Sequence, residues 1–268
     1  MNAAPALAAL LARPDVWRGG QLAGAGIPSL SSGFAELDEE LPGHGWPRGN
    51  LTEILVDGVG LGECSLLLPA LAATREESAW TLLVAPPYGF NGPAWSTAGV
   101  DPARLVIVAS PRQRDALWAT EQALASGAFG IVLCWARQAD APVTRRLQVA
   151  LAGSKTLAFL FRPLRARTES SAASLRLMLA AGPRGTLGVD LLKRRGPPCS
   201  RTLYLDVPRP LAEYESRRQS GENSERVERG EYHDSVVGIR SIHATSPSVA
   251  RAASATSAAR SLRAIAVA

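Results

Sequence analysis

From residue 51 onward, apolar runs of strand length alternate with stretches of helical periodicity, and that alternation leaves few folds open. Runs at residues 51–56, 81–85, 105–109, 131–135, 156–161, 187–192 and 201–207 read as strands. Between them Val143, Leu147, Ala150 and Leu151 recur at helical spacing, as do Leu117, Leu124 and Ala128. Strands that are apolar on both faces, alternating with amphipathic helices, imply a mainly parallel sheet flanked by helices. The expected fold class is α/β, with one core over residues 28–212. A chain of 268 residues that is 46% hydrophobic can bury one such core.

The flanks read differently. Residues 1–27 hold a short helical stretch at 6–11, stopped by Pro14, and a linker. Residues 19–49 are dense in Gly and Pro and read as turns around one short helix. Beyond about residue 213, the stretch 217–231 is charged and nearly free of apolar side chains, and 241–268 is mostly Ala, Ser and Arg. Such composition does not offset the entropy of ordering, so 213–268 are expected to form a disordered tail. A weak helix at 249–267 and a reading-frame accident are the alternatives for it.

Several function classes fall away on composition. No apolar run approaches the roughly 20 residues of a membrane span, and residues 3–12 lack the cationic lead and cleavage site of a signal peptide. A cytoplasmic protein is expected. Cys64, Cys134 and Cys199 fit neither a metal-ligand spacing nor a disulfide framework, and His44 is joined only by His233 and His243. Neither a metal site nor a His-based catalytic site is expected. The net charge of +5 permits nucleic-acid association without requiring it.

The motif with most chemistry in it is residues 57–65. Gly58, Gly60 and Gly62, with Cys64 and Ser65, sit where a phosphate-binding loop of the form GxxxxGK[ST] belongs, but Glu63 takes the place of the lysine. Backbone N–H groups attract phosphate, whereas a carboxylate repels it. A structural strand-to-helix turn is therefore favoured over a surviving nucleotide site. Pro69 should kink or shorten the helix that follows.

The order of these signals resembles the RecA recombinase core: the Ser-rich lead-in at 29–38, Gly45-Trp46-Pro47-Arg48-Gly49, Leu51-Thr52-Glu53-Ile54, the strand at 80–85, the turn and strand at 98–105, and the helix at 123–128 leading into 131–135. The resemblance implies a RecA-like core over residues 28–207, and the departures from it imply lost catalysis. Cys64-Ser65 stand where a Thr-Thr pair would reach magnesium. Pro86 stands for the water-activating glutamate, and Cys134 or Trp135 for the metal-holding aspartate. Phosphoryl transfer depends on such groups, so no catalytic residue, nucleotide cofactor or metal is expected.

A closer likeness is to the ImuA family, which also resembles the cell-division inhibitor SulA. It rests on residues 45–49, 51–55, 60–63, 66–71, Ala116-Leu117-Trp118-Ala119, Phe159-Leu160-Phe161-Arg162-Pro163 and Leu191-Leu192-Lys193-Arg194-Arg195-Gly196. The resemblance implies a noncatalytic accessory protein of SOS-induced error-prone translesion synthesis. Its implied partners are an ImuB-like Y-family protein, a DnaE-like polymerase and RecA, with any DNA contact indirect. The stretch 6–11 could dock on RecA or ImuB, or pack on its own core. A SulA-like inhibitor binding FtsZ and a residual ATP- or DNA-binding protein are the rival readings. Candidate DNA or partner contacts are Trp46, exposed by its Gly-Pro turn, with Arg48, Arg162, Arg165, Arg167, Lys193, Arg194, Arg195 and, beside them, Arg201. Trp80, Trp95, Trp118 and Trp135 read as packing residues.

Overall fold

The computed structural model describes residues 27–58, 60–75, 77 and 79–209. The expected helix at 6–11 and the tail from 213, with His233 and His243, lie outside the described residues. A two-stranded ribbon of β1 (Ser29–Leu30) and β2 (Trp46–Pro47) encloses helix α1 (Ala35–Glu40). There follow β3 (Leu51–Val56), α2 (Leu68–Ala73), β4 (Trp80–Val84), α3 (Gly92–Thr97), β5 (Leu105–Val108), α4 (Gln113–Ser126), β6 (Phe129–Trp135), α5 (Ala141–Ala150), β7 (Leu157–Pro163), β8 (Leu175–Ala181), β9 (Leu187–Lys193) and β10 (Leu203–Leu205).

Eight strands form one sheet in the order β10-β9-β8-β3-β7-β6-β4-β5. The run from β8 to β5 is parallel, and β9 and β10 add an antiparallel edge. The expected mixed α/β architecture with a mostly parallel sheet is therefore present. Every residue of β3 is buried, as a strand in mid-sheet between two helical layers must be. Alternate side chains feed two cores. One face carries Ile54, Leu133, Phe159 and Leu177 against Leu66, Leu67 and Leu71 around α2. The other carries Leu51, Val132 and Leu160 against Leu117 and Leu124 of α4 and Leu147 of α5.

Local chemistry sets the helix ends. Asp140 accepts from the Val143 N–H at 2.9 Å at the start of α5, and Gly127 ends α4 in the left-handed region at φ 61°. Pro69 lies in the first turn of α2, where its missing N–H costs nothing, so it kinks no helix. A 3-10 turn, Ser65–Leu67, precedes it, and α2 is only 6 residues long.

Two expectations need correction. Strand β8 is not among the seven apolar runs, because Leu, Arg, Met and Ala read as helix formers. Its period-two pattern, with Leu175, Leu177 and Leu179 buried on one face, places it between β3 and β9. Trp46, expected to be exposed by its turn, has 0% of its surface accessible. Pairing with Leu30 across the ribbon turns the indole inward, onto the Phe159 ring at 5.2 Å and 89°.

Candidate functional site

The loop at 57–65 leaves the carboxyl end of β3, the place where open α/β sheets bind ligands. Gly58, Gly60 and Gly62 have φ of 101°, 86° and 103°. At positions 58 and 60 an added Cβ would meet nothing within 4 Å, so the need for glycine there is conformational. The turn so formed aims backbone N–H groups at one point. The Gly60 N–H donates to Glu63 Oε1 at 3.1 Å and Oε2 at 3.2 Å, and the Gly62 N–H donates to Oε2 at 3.2 Å. Glu63, 5% exposed, therefore sets its own carboxylate against these backbone donors, as an anion would sit.

Glu63 is thus itself the anion that these N–H groups hold. A phosphate entering beside a carboxylate at 4 Å meets a repulsion of about 4 kcal/mol per unit charge at an effective dielectric of about 20. It also finds the N–H groups of Gly60 and Gly62 already taken.

Neither nearby cysteine supplies an anion. Burial pushes the Cys64 thiol up to about 12, and the Glu63 charge adds to the rise. Burial likewise pushes Cys134 up to about 11. Both stay protonated at neutral pH and offer no anionic ligand to a hard cation. Trp135 stacks on Phe161, ring centres 4.7 Å apart and planes 14° from parallel. Pro86 follows Ala85, whose φ of 51° turns the chain sharply out of β4.

Behind the loop, the middle of β3 carries a charge that sequence reasoning assigned no role. Glu53 is 0% exposed. Its Oε1 lies 2.5 Å from Arg162 Nη1 and its Oε2 lies 2.5 Å from Arg176 Nε. Arg162 reaches on to Glu169 Oε2 at 2.5 Å, and Arg176 donates to the main-chain oxygens of Ala166 at 2.8 Å and Glu169 at 3.2 Å. These bonds fasten the connection between β7 and β8 across the sheet. Arg162, expected at a DNA or partner surface, is instead 2% exposed and bound in this network. The available signal was a lone carboxylate inside an apolar strand, which must find countercharge.

The remaining candidates fall at two ends of the sheet. Arg165 and Arg167, both exposed, follow β7 at the end that holds the 57–65 loop. Arg48, Lys193, Arg194 and Arg195 lie at the opposite end, because β9 runs antiparallel to β8. Arg48 is committed to Glu77 at 2.5 Å and to the Lys155 oxygen at 3.1 Å. Lys193 donates to the Ser171 oxygen at 3.1 Å, and Arg195 is exposed. Arg194 and Arg201 hold the Glu40 carboxylate at 2.7 and 2.9 Å. Burial pushes the Glu40 carboxyl up, but hydrogen bonds and charge from these two arginines outweigh it and hold the group below its ordinary range. The structure does not gather the sequence candidates into one site.

No family model matches this chain. It is 30% identical over 111 residues to a protein named cell division inhibitor SulA from Photorhabdus laumondii. That match takes in 41% of this chain and spans 63% of the length of SulA. Among the described residues, no helix is long and apolar enough to cross a membrane.

Proposed function

We propose that the chain is a noncatalytic RecA-like protein of the ImuA type, a cytoplasmic accessory factor in SOS-induced translesion synthesis. It acts through contacts with an ImuB-like protein, a DnaE-like polymerase or RecA. The observation that carries the noncatalytic part is the Glu63 carboxylate bound by the N–H groups of Gly60 and Gly62. A loop with these two donors held by its own carboxylate offers fewer to a triphosphate. A loop at the end of a central parallel strand supports the RecA-like reading of the core. The SOS part rests on the family resemblance and on the likeness to SulA.

That likeness also favours a second reading, a division inhibitor that binds FtsZ. Affinity capture of the full chain from cells after DNA damage separates the two. Recovery of the ImuB-like protein or the polymerase supports the accessory role, and recovery of FtsZ without either supports the inhibitor. Substrate-dependent phosphate release from MgATP by the purified chain, abolished in Glu63→Ala, would overturn the noncatalytic reading of both.

A further inference from the structure

Two of the four large apolar side chains exposed among the described residues, Trp118 at 40% and Val149 at 66%, lie on one helical layer of the fold. Helices α4 and α5 each follow a parallel strand of the same sheet, so they run side by side in one direction. They meet the sheet through Leu117, Leu124 and Leu147. Arg146 Nε lies 3.3 Å from Glu121 Oε2, which fixes the sides the two helices turn to each other. Trp118 stands one turn before Glu121, and Val149 one turn after Arg146. Arg114, Trp118, Glu121 and Ala125 form one ridge at i, i+4, i+7 and i+11, about 16 Å long, bordered on α5 by the exposed Arg145 and Val149. Trp118, expected from the sequence to pack, thus keeps two fifths of its surface in solvent.

Charge beside these two side chains is one-sided. Helix α5 carries Arg145 and Arg146 and no carboxylate. The carboxylates of α4 are committed: Glu121 faces Arg146, and Asp115 lies 3.7 Å from Arg114. Asp140, ahead of α5, is spent on the Val143 N–H. Arg145 has no ion-pair partner among the described residues. An exposed tryptophan flanked by guanidinium groups has the composition of a protein interface, in which Trp and Arg anchor the binding energy. Phosphate binding would draw on the arginines alone and leave Val149 without a role.

We infer that the outer face of α4 and α5 docks an acidic amphipathic helix of a partner protein. The apolar side of that helix covers Trp118 and Val149, and its carboxylates meet Arg114 and Arg145. About three helical turns match the length of the ridge. The inference deepens the contact-based function proposed above and rests on it only in needing a protein partner, whichever partner that is.

The test is site-specific photo-cross-linking of the full chain in cells after DNA damage, with p-benzoylphenylalanine at position 118 or 149 and the joined peptides identified by mass spectrometry. Both positions should join to one partner segment rich in Asp and Glu, with apolar residues at helical spacing. The same label at position 204, where Tyr204 is 52% exposed on β10, should not join to that segment. In affinity capture, Trp118→Ala should weaken binding of that partner at least about tenfold, as loss of an interface anchor does. Arg114→Glu with Arg145→Glu should weaken it about 2- to 30-fold, the worth of two surface ion pairs, and remove most of its salt dependence. Tyr204→Ala should leave it unchanged. Joining to a basic segment, to nucleic acid or to a second copy of this chain overturns the inference, and so does no joining at either position. An equal loss in Tyr204→Ala also overturns it. If the ImuB-like protein, the polymerase or FtsZ is recovered equally with all these variants, the proposed contact function stands and this surface is refuted.

Discussion

Two glutamates ten positions apart, Glu53 in the middle of β3 and Glu63 in the loop it feeds, are both buried, and the protein satisfies them in different ways. Glu53 is matched by two guanidinium groups from neighbouring strands. Glu63 is matched by neutral backbone donors of its own turn. Deleting the first leaves Arg176 buried with main-chain oxygens alone and Arg162 with Glu169 as its one carboxylate. Deleting the second leaves an empty seat that water or another anion can take. One carboxylate serves the architecture of the sheet, and the other decides what the loop can hold.

The largest effect should come from Glu53. Glu53→Gln should cost about 3–5 kcal/mol in urea unfolding, because breaking a buried ion network strands its remaining charges. A loss below about 1 kcal/mol would show that water reaches the arginines. Trp46→Ala should cost a similar 3–5 kcal/mol, measured the same way, since the indole fills the space beside Phe159. Glu63→Ala should cost only about 1–3 kcal/mol, the penalty for unsatisfied N–H groups, and should gain affinity for inorganic phosphate. If Glu53→Gln and Glu63→Ala behave alike in both stability and phosphate binding, the contrast between the two sites is broken.

Smaller effects sharpen the comparison at the periphery. Glu40 has a depressed folded-state pKa, so its stabilising contribution is present above the ordinary carboxylate pKa of about 4.3 and fades as pH falls through the lower folded value. Glu40→Gln should therefore be less stable than the parent by up to about 1 kcal/mol at pH 7, and the gap should close in acid. A gap that persists or grows in acid contradicts the pairing with Arg194 and Arg201. Smallest of all, Cys64 and Cys134 should resist alkylation at neutral pH in the folded protein, read by mass spectrometry, because burial holds them protonated.

Much of the fold was legible because apolar runs in a parallel sheet are nearly continuous. The runs at 51–56, 131–135 and 187–192 correspond to β3, β6 and β9. Strand β8 escaped notice because helix-forming residues were overridden by tertiary pairing. The site was legible in part. That a glutamate closes the glycine-rich turn could be read directly, whereas its return to the N–H groups of Gly60 and Gly62 depends on three left-handed glycines acting together. Arg162 and Trp46 were misplaced for one reason. Local turn and charge patterns suggested a surface, whereas β2 is buried at both its residues and β7 at Arg162 and the five residues before it.

The most direct test of the central claim follows the Gly60 and Gly62 amide resonances in the isotopically labelled full chain. Glu63→Gln should shift both, while saturating MgATP should leave both unmoved in the parent protein. If MgATP shifts these two amides in the parent as Glu63→Gln does, the carboxylate does not own the loop, and the account of a self-filled anion seat fails.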